Sequence, residues 1–433
     1  MVNAVVALDD DPTGPQALAG VRVLLAWSPG RVASALEGRR AVHLLTNARA
    51  LPPTQVSGVV ASAARAARDG APDAHVILRG DSTLRGHLRE ELLGLYHVID
   101  GADRAPVLLV PTLPAAGRVT IGGVHLAERD CRRVPLHETE YARDGIFSYA
   151  NARLVAWADE RTGGLLPASA GRELHLDDLR SRGANRVAEI ICELCAAGRP
   201  AAFAPDAETN DDLCLIAEGY ARAHEAGSRA LVRCAPAFVG VLSGTTAAGY
   251  VPAPRANDRL LVICGSYVPT ATRQLGRLLE EHPSALVEAD VAALALGDQQ
   301  AEVVRVAREV ARLLEEERLA VVATPRERPI GTRSLEAGDR IAKGIAAVVR
   351  AIDPRPGVIV AKGGITSHVT LQVGLGANEA EVVGPVLPGV SHWRIAVDGG
   401  NVDYLVVPGN VGDDNLLATL VERLLCERGS SQC

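Results

Sequence analysis

Three short polar loops in the first half of the chain carry residue types able to do chemistry together. They are Asp10-Asp11-Pro12-Thr13-Gly14, Thr46-Asn47-Ala48-Arg49 and Arg79-Gly80-Asp81-Ser82-Thr83-Leu84-Arg85-Gly86. The carboxylates of Asp10, Asp11 and Asp81 can hold hydroxyl groups or accept a proton. Arg49 and Arg85 can grip a carboxylate through two parallel hydrogen bonds. Such a mixture suits a small polyhydroxy acid, whereas any one Asp alone reads equally well as a solvated turn. Asp81 is flanked by Arg79 and Arg85, which favours its ionised form and weakens it as a base. Asp11 adjoins Asp10 and has no Arg within several residues, so nearby negative charge is expected to raise its proton affinity. Asp11 is therefore the expected catalytic base, with Asp81 the other catalytic candidate, suited to holding a substrate hydroxyl.

The second half has its own set: Cys264-Gly265-Ser266, Lys362-Gly363-Gly364-Ile365-Thr366-Ser367 and Pro408-Gly409-Asn410. Adjacent glycines let backbone amides approach phosphate oxygens, and a helix N-terminus behind them favours an anion. An ordinary turn has the same composition. The GxxxxGK[ST] loop, a GxGxxG after the first strand and HExxH do not occur in the sequence. Ser243 is not in a GxSxG elbow.

The elements that must position these loops follow from hydrophobic patterning. Apolar runs at Val5 to Leu8, Val21 to Trp27, Ala41 to Leu45, His75 to Leu78 and Pro106 to Val110 read as strands. They alternate with helical spacing at Pro53 to Asp69 and Leu84 to Val98, as a parallel sheet requires. Each polar loop follows a strand and so belongs at the carboxyl edge of the sheet, where ligands bind. Ala115 to Gly171 has poor periodicity and reads as an excursion, partly helical around Ser148 to Glu160. Helices are predicted at Val187 to Ala197 and Asp211 to His224, the latter opened by a Thr209/Asp212 capping box.

After a Gly/Pro-rich stretch the alternation restarts. Strands are predicted at Arg259 to Cys264, Leu319 to Thr324, Gly357 to Ala361 and Tyr404 to Val407. Helices are predicted at Thr270 to Glu281, with Thr270 as N-cap, at Val303 to Glu316, at Ala337 to Ala351, and from about Asn415 to Leu425. The fold class is thus α/β with two domains, each a mostly parallel sheet flanked by helices. The divisions are residues 1–240, a linker at 241–258 and residues 259–433, with the active site expected in the interdomain cleft.

Composition sets the limits. The 433 residues are 48% hydrophobic and carry a formal charge of −7. That balance disfavours a general nucleic-acid surface. The eight cysteines include one CxxC, Cys192 to Cys195, within a helical pattern, which suits free thiols in a reducing compartment. The first residues lack the basic region of a signal peptide. No apolar run is long enough to span a membrane. The expectation is a cytoplasmic protein without membrane or nucleic-acid partners, with a homo-oligomer left open.

Taken in order, the motifs resemble the four-carbon acid sugar kinase family over nearly the whole chain. The carrying segments are Asp10 to Gly14, Thr46 to Arg49, Asp81 to Gly86, Cys264 to Ser266, Ala361 to Ser367 and Pro408 to Gly412. Arg79 departs from a position where the family often has Lys. The resemblance implies an N-terminal domain that binds threonate, erythronate or a 3-oxo-tetronate. The acid-binding residues it implies are Asp10, Asp11, Arg49, Asp81, Ser82, Thr83, Leu84 and Arg85. It implies ATP, with Mg²⁺, held by Ser266, Gly363, Gly364, Ile365, Thr366 and Gly409, and phosphorylation of the terminal hydroxyl. A kinase for another small hydroxy acid, or an inactive metabolite-binding sensor, are the alternatives.

Overall fold

The computed structural model describes residues 2, 4–129, 131–256, 259–327, 330–332 and 334–425. The tail from Cys426 to Cys433 and the last two positions of the expected linker, Asn257 and Asp258, lie outside the described residues. The chain divides into two compact units, Met1–Ala247 and Ala248–Cys433.

The first unit contains β1 (Val5–Asp9), β2 (Val21–Leu24), β3 (Ala41–Leu45), β4 (His75–Arg79), β5 (Val107–Val110), β6 (Arg118–Ile121), β7 (Val124–Arg129), β8 (Arg132–Pro135), β9 (Arg172–Leu174), β10 (Ala202–Pro205) and β11 (Leu231–Cys234). A parallel sheet runs in the order β2-β3-β1-β4-β11-β5-β10-β9. Every residue of β1, β3, β5, β10 and β11 is buried. Successive side chains of a strand point to opposite faces, so both faces of this sheet must be covered. The helix α2 (Pro53–Gly70; α1 is Pro29–Leu36) buries Ala63, Ala64 and Ala67 as its spacing predicts.

Three expectations in this unit need correction. The helix α3 covers Leu88–Tyr96 and does not begin at Leu84. Leu84 has φ +64° and Gly86 φ +124°, which no right-handed helix accommodates. The excursion is not mainly irregular: β6, β7 and β8 form an antiparallel sheet, and α4 covers Leu154–Thr162. The β6–β7 hairpin turns on Gly122-Gly123, both with positive φ. The helix α5 (Leu176–Ala196) is longer than predicted because it runs through a kink at Gly183. Downstream, α6 (Asn210–Glu225) has the predicted Thr209/Asp212 capping box, and α7 is Pro236–Ser243.

The second unit contains β12 (Leu260–Cys264), β13 (Leu286–Glu288), β14 (Leu319–Ala323), β15 (Val358–Lys362), β16 (Glu379–Leu387), β17 (Val390–Val397) and β18 (Gly400–Val407). Its strand order is β13-β14-β12-β15-β18-β17-β16. Pairing is parallel from β13 to β18 and antiparallel from β18 to β16. The sequence reading missed β13, β16 and β17. The helices are α8 (Pro269–Glu281), α9 (Val291–Leu296), α10 (Gln299–Glu316), α11 (Leu335–Ala351), α12 (Gly364–Val369) and α13 (Leu416–Leu425). Thr270 is not the cap of α8: Val268 is the N-cap and Pro269 takes the first position, where its missing N–H costs nothing.

Candidate functional site

The register of the first sheet aligns the ends of its central strands. Asp9 in β1 pairs with Leu45 in β3 and with Arg79 in β4. The three predicted polar loops therefore leave the sheet at one level and one edge.

A buried ionic lattice underlies them. Asp9, which is in none of the three predicted loops, is buried and takes His43 Nδ1 at 2.8 Å and Arg79 Nη1 at 2.9 Å. The same Arg79 nitrogen donates to Asp10 Oδ1 at 2.7 Å. Arg49 spends its fork on Asp10, with Nε to Oδ2 at 3.2 Å and Nη2 to Oδ1 at 2.7 Å. Both oxygens of Asp10 are thus occupied, and its side chain is 1% exposed. The remaining Arg49 nitrogen, Nη1, lies 3.6 Å from Asp11 Oδ2 and 3.8 Å from Asp81 Oδ2. Gly14 is needed where the turn folds over Asp9: a Cβ there would sit 1.7 Å from Asp9 Oδ2.

Asp11 and Asp81 differ in what remains open. Asp11 Oδ1 accepts from Thr13 N at 2.8 Å and Thr13 Oγ1 at 2.5 Å, while Oδ2 has only the distant Arg49. Asp81 Oδ1 accepts from Thr83 N at 3.1 Å, and Oδ2 from Thr83 Oγ1 and from Arg85 Nε at 2.8 Å. Burial alone pushes the Asp11 carboxyl up, but Arg49, Arg79 and the Thr13 hydrogen bonds outweigh it and hold it below the usual range. Burial is likewise outweighed at Asp81 by Arg85, Arg49 and Thr83, which hold it well below that range. The expectation that negative neighbours raise the proton affinity of Asp11 is therefore overturned: Arg49 and Arg79, distant in sequence, are beside it.

The Asp81 loop is held through its carbonyl oxygens. Ser82 O faces His125 Nε2 at 2.9 Å, and Thr83 O accepts from Tyr149 Oη at 2.9 Å. Arg85 O accepts from Arg233 Nη2 at 3.1 Å, and Gly86 O from Arg161 Nη2 at 3.3 Å. A carbonyl only accepts, so His125 carries its proton on Nε2 and receives Thr120 Oγ1 on Nδ1, 3.0 Å away. Burial drives the His125 pKa down to about 4. Ser82, Thr83 and Leu84 are all buried, and the Leu84 side chain belongs to the hydrophobic core, so this residue offers a ligand only its backbone. Beneath the loop, Arg233 stands 3.7 Å from the buried Glu91 and over the Trp157 ring. His125, Arg161, Arg233 and Glu91 were not singled out in the sequence.

In the second unit, Cys264 pairs with Lys362, and Lys362 with Val407, so three more loops leave one sheet edge together. Gly363 has φ +109°, open only to glycine, and a Cβ on it would come within 3.1 Å of Ser266 Cβ. A Cβ on Gly409 would approach Ser266 Oγ to 2.9 Å, and one on Gly265 would approach Thr366 Oγ1 to 2.6 Å. Ser266, Gly363, Thr366 and Gly409 are therefore brought together, with Gly364 opening α12 and Ile365 exposed beside them. The first helical bond runs from Ser367 N to Gly363 O at 2.9 Å, so the amides of Gly364, Ile365 and Thr366 precede it. The anticipated helix dipole is weaker than expected, because α12 has six residues before a π-helical turn at 370–374.

Two cations hold these loops. Lys362 is buried and donates from Nζ to Pro408 O at 2.7 Å, and burial brings its pKa down to about 8. Arg326 donates to Ser266 O at 2.9 Å and to Cys264 O at 3.2 Å. A groove of about 460 Å³ between β13 and α10 lies elsewhere in this unit and includes none of the predicted residues.

Residues 5–242 match the family model of a sugar-binding N-terminal domain, and residues 261–417 that of a nucleotide-binding C-terminal domain. The chain belongs to the four-carbon acid sugar kinase family. As in that family, a sugar-binding domain precedes a nucleotide-binding domain. Among solved structures, Haemophilus influenzae protein HI1011 is similar at a TM-score of 0.65 and 18% identity, covering 97% of this chain and 100% of its own. A Salmonella typhimurium LT2 protein, provisionally described as a tRNA synthase, is similar at a TM-score of 0.70 and 16% identity, covering 98% and 100%. At these identities the likeness establishes the fold. No curated protein sequence matches. Among the described residues, no helix is long and apolar enough to cross a membrane.

Proposed function

We propose that the protein transfers the γ-phosphoryl group of ATP to the terminal hydroxyl of a four-carbon sugar acid such as threonate, erythronate or a 3-oxo-tetronate. The acid binds within residues 1–240 and the nucleotide within residues 259–433. The observation that carries this reading is the trio of Asp11, Arg49 and Asp81 at one sheet edge: two ionised carboxylates with a guanidinium within 3.8 Å of both. Asp81, saturated by its own loop, positions a substrate hydroxyl through an oxygen already fixed in place. Asp11, whose Oδ2 is free of hydrogen bonds among the described residues, accepts the proton of the attacking hydroxyl. Asp10 is an anchor that fixes Arg49 and Arg79, and reaches the acid only through them.

On the nucleotide side, the glycines packed on Ser266 and Thr366 leave room for backbone amides to approach phosphate oxygens. Phosphoryl transfer depends mostly on positioning and charge, which suits a site with fixed loops. Mg²⁺ enters this proposal with the nucleotide, ligated by phosphates and water. Among the described residues no group of three His, Cys, Asp or Glu is placed to hold a metal, and no protein ligand is assigned to it. The described cysteines are unpaired thiols, which suits work in the cytoplasm.

The test is ADP release, followed by a coupled assay, across a panel of three- to six-carbon sugar acids. The reading expects turnover concentrated on one or more four-carbon acids. Equal rates with and without every acid would reject it.

A further inference from the structure

We propose that the guanidinium cluster of Arg85, Arg118 and Arg129 around Tyr141 is the seat of the substrate carboxylate. The seat rests on the sugar-acid reading and adds to it two arginines, Arg118 and Arg129, that the sequence motifs do not include.

Three guanidinium carbons crowd one buried ring. Arg85 Cζ and Arg118 Cζ are each 5.6 Å from the Tyr141 centroid, and Arg129 Cζ is 5.1 Å from it. The ring face offsets part of their mutual repulsion. The hydroxyl of Tyr141 accepts from Arg118 Nη2 at 3.2 Å and Arg129 Nη2 at 2.6 Å. Its own proton then has no acceptor among the described residues. Arg118 is the under-compensated cation. Its Nε is buried without a hydrogen-bond partner, and among the described residues no carboxylate lies within ion-pair distance of it. Asp81 compensates Arg85 at 2.8 Å, with Asp144 3.6 Å away, and Arg129 has only Glu140, 67% exposed; Arg118 is left without a carboxylate among the described residues. A phenol O–H without an acceptor and a guanidinium without a counter-charge call for a ligand that only accepts and carries negative charge. A carboxylate meets both needs.

Position supports the same assignment. Arg85 touches Asp81, and Arg49 Nη1 reaches both Asp81 and Asp11. Contacts thus link the groups in a chain, Arg118 and Arg85 through the Tyr141 ring, then Asp81, Arg49 and Asp11. An acid anchored by its carboxylate at the first two presents its middle hydroxyls to Asp81 and its far end to Asp11. Arg49, whose fork is committed to Asp10, is poorly placed to be the primary grip.

Calorimetric titration of the full chain with threonate, erythronate, the uncharged tetritols erythritol and threitol, and ADP tests the seat. The variants are Arg118→Gln, Arg118→Lys and Tyr141→Phe. The seat predicts that Arg118→Gln weakens the acid about tenfold or more, with a smaller loss in Tyr141→Phe and partial retention in Arg118→Lys. Affinities for ADP and for the tetritols stay at the wild-type level, which also shows that the variants are folded. Unchanged acid affinity in Arg118→Gln, with the wild type binding the acid, overturns the seat and leaves the kinase reading standing. A wild type that binds ADP but neither acid overturns the substrate class, and the seat with it.

Discussion

The Oδ2 atom of Asp11 lies 3.6 Å from Arg49 Nη1 and accepts no hydrogen bond from the described residues, while both oxygens of Asp81 are engaged by Thr83 and Arg85. The free oxygen distinguishes the two acids. Replacing Asp11 by Asn is expected to lower kcat by about 10²- to 10⁴-fold, the usual span of a general base, with both substrates still bound. Replacing Asp81 by Asn should raise the KM for the acid first, because its loop loses the anchor for Thr83 and Arg85. Steady-state kinetics with direct binding measurements checks the pair. Near-normal kcat in Asp11→Asn, with an inactive but acid-binding Asp81→Asn, would exchange the roles.

Gly363, with φ +109° and Ser266 Cβ 3.1 Å from where its own Cβ would be, is the point of the proposed nucleotide loop least tolerant of a side chain. Gly363→Val should weaken ATP binding about tenfold or more, since the loop must shift to relieve both conflicts. Acid binding to the same variant should hold. Nucleotide affinity equal to wild type would remove this loop from the phosphate site.

Glu91 sets a pH dependence of stability. Burial raises its pKa to about 7, with Arg233 pulling it back, against an ordinary value of 4.5. As pH rises, the unfolded chain loses this proton first, so the contribution of Glu91 to stability falls between about pH 4.5 and 7. The Glu91→Gln variant lacks this term, although Arg233 loses a charged neighbour. Urea unfolding across that window should show the variant gaining on the wild type as pH rises. Parallel curves would place the Glu91 pKa at its ordinary value.

Much of the first site was legible because strand and loop were adjacent in sequence. The apolar run of β1 meets an Asp-rich turn, and the ends of β3 and β4 are marked in the same way. Asp9 was not legible, since a third Asp beside Asp10 and Asp11 gives no sign that it points inward to His43. The supports of the Asp81 loop were hidden by distance along the chain. His125 and Arg233 reach it from far downstream, and no local period reports such contacts. Two hairpins did carry a signal: Gly122-Gly123 joins β6 to β7, and Asp398-Gly399 joins β17 to β18. In β16, Gly384-Pro385 and the shifts in register blur the alternation that would otherwise mark a strand.

His125 should stay neutral through the working pH range, with its proton on Nε2. Its pKa of about 4 lies below the ordinary 6.5, so the unfolded chain takes up the proton first as pH falls. The stability it contributes is present above about pH 6.5 and is lost as pH drops toward 4. Nitrogen-15 NMR of the side chain checks the tautomer. An imidazolium signal at pH 6, or a proton on Nδ1, would contradict the bond to Ser82.

Phosphorus-31 NMR of a reaction with ATP, Mg²⁺ and threonate or erythronate tests the central claim most directly. The account predicts that the γ-phosphate signal of ATP is replaced, mole for mole, by a phosphomonoester on the terminal carbon, with ADP as coproduct. ATP that persists with every four-carbon acid, or that yields only inorganic phosphate at a rate indifferent to the acid, would contradict it.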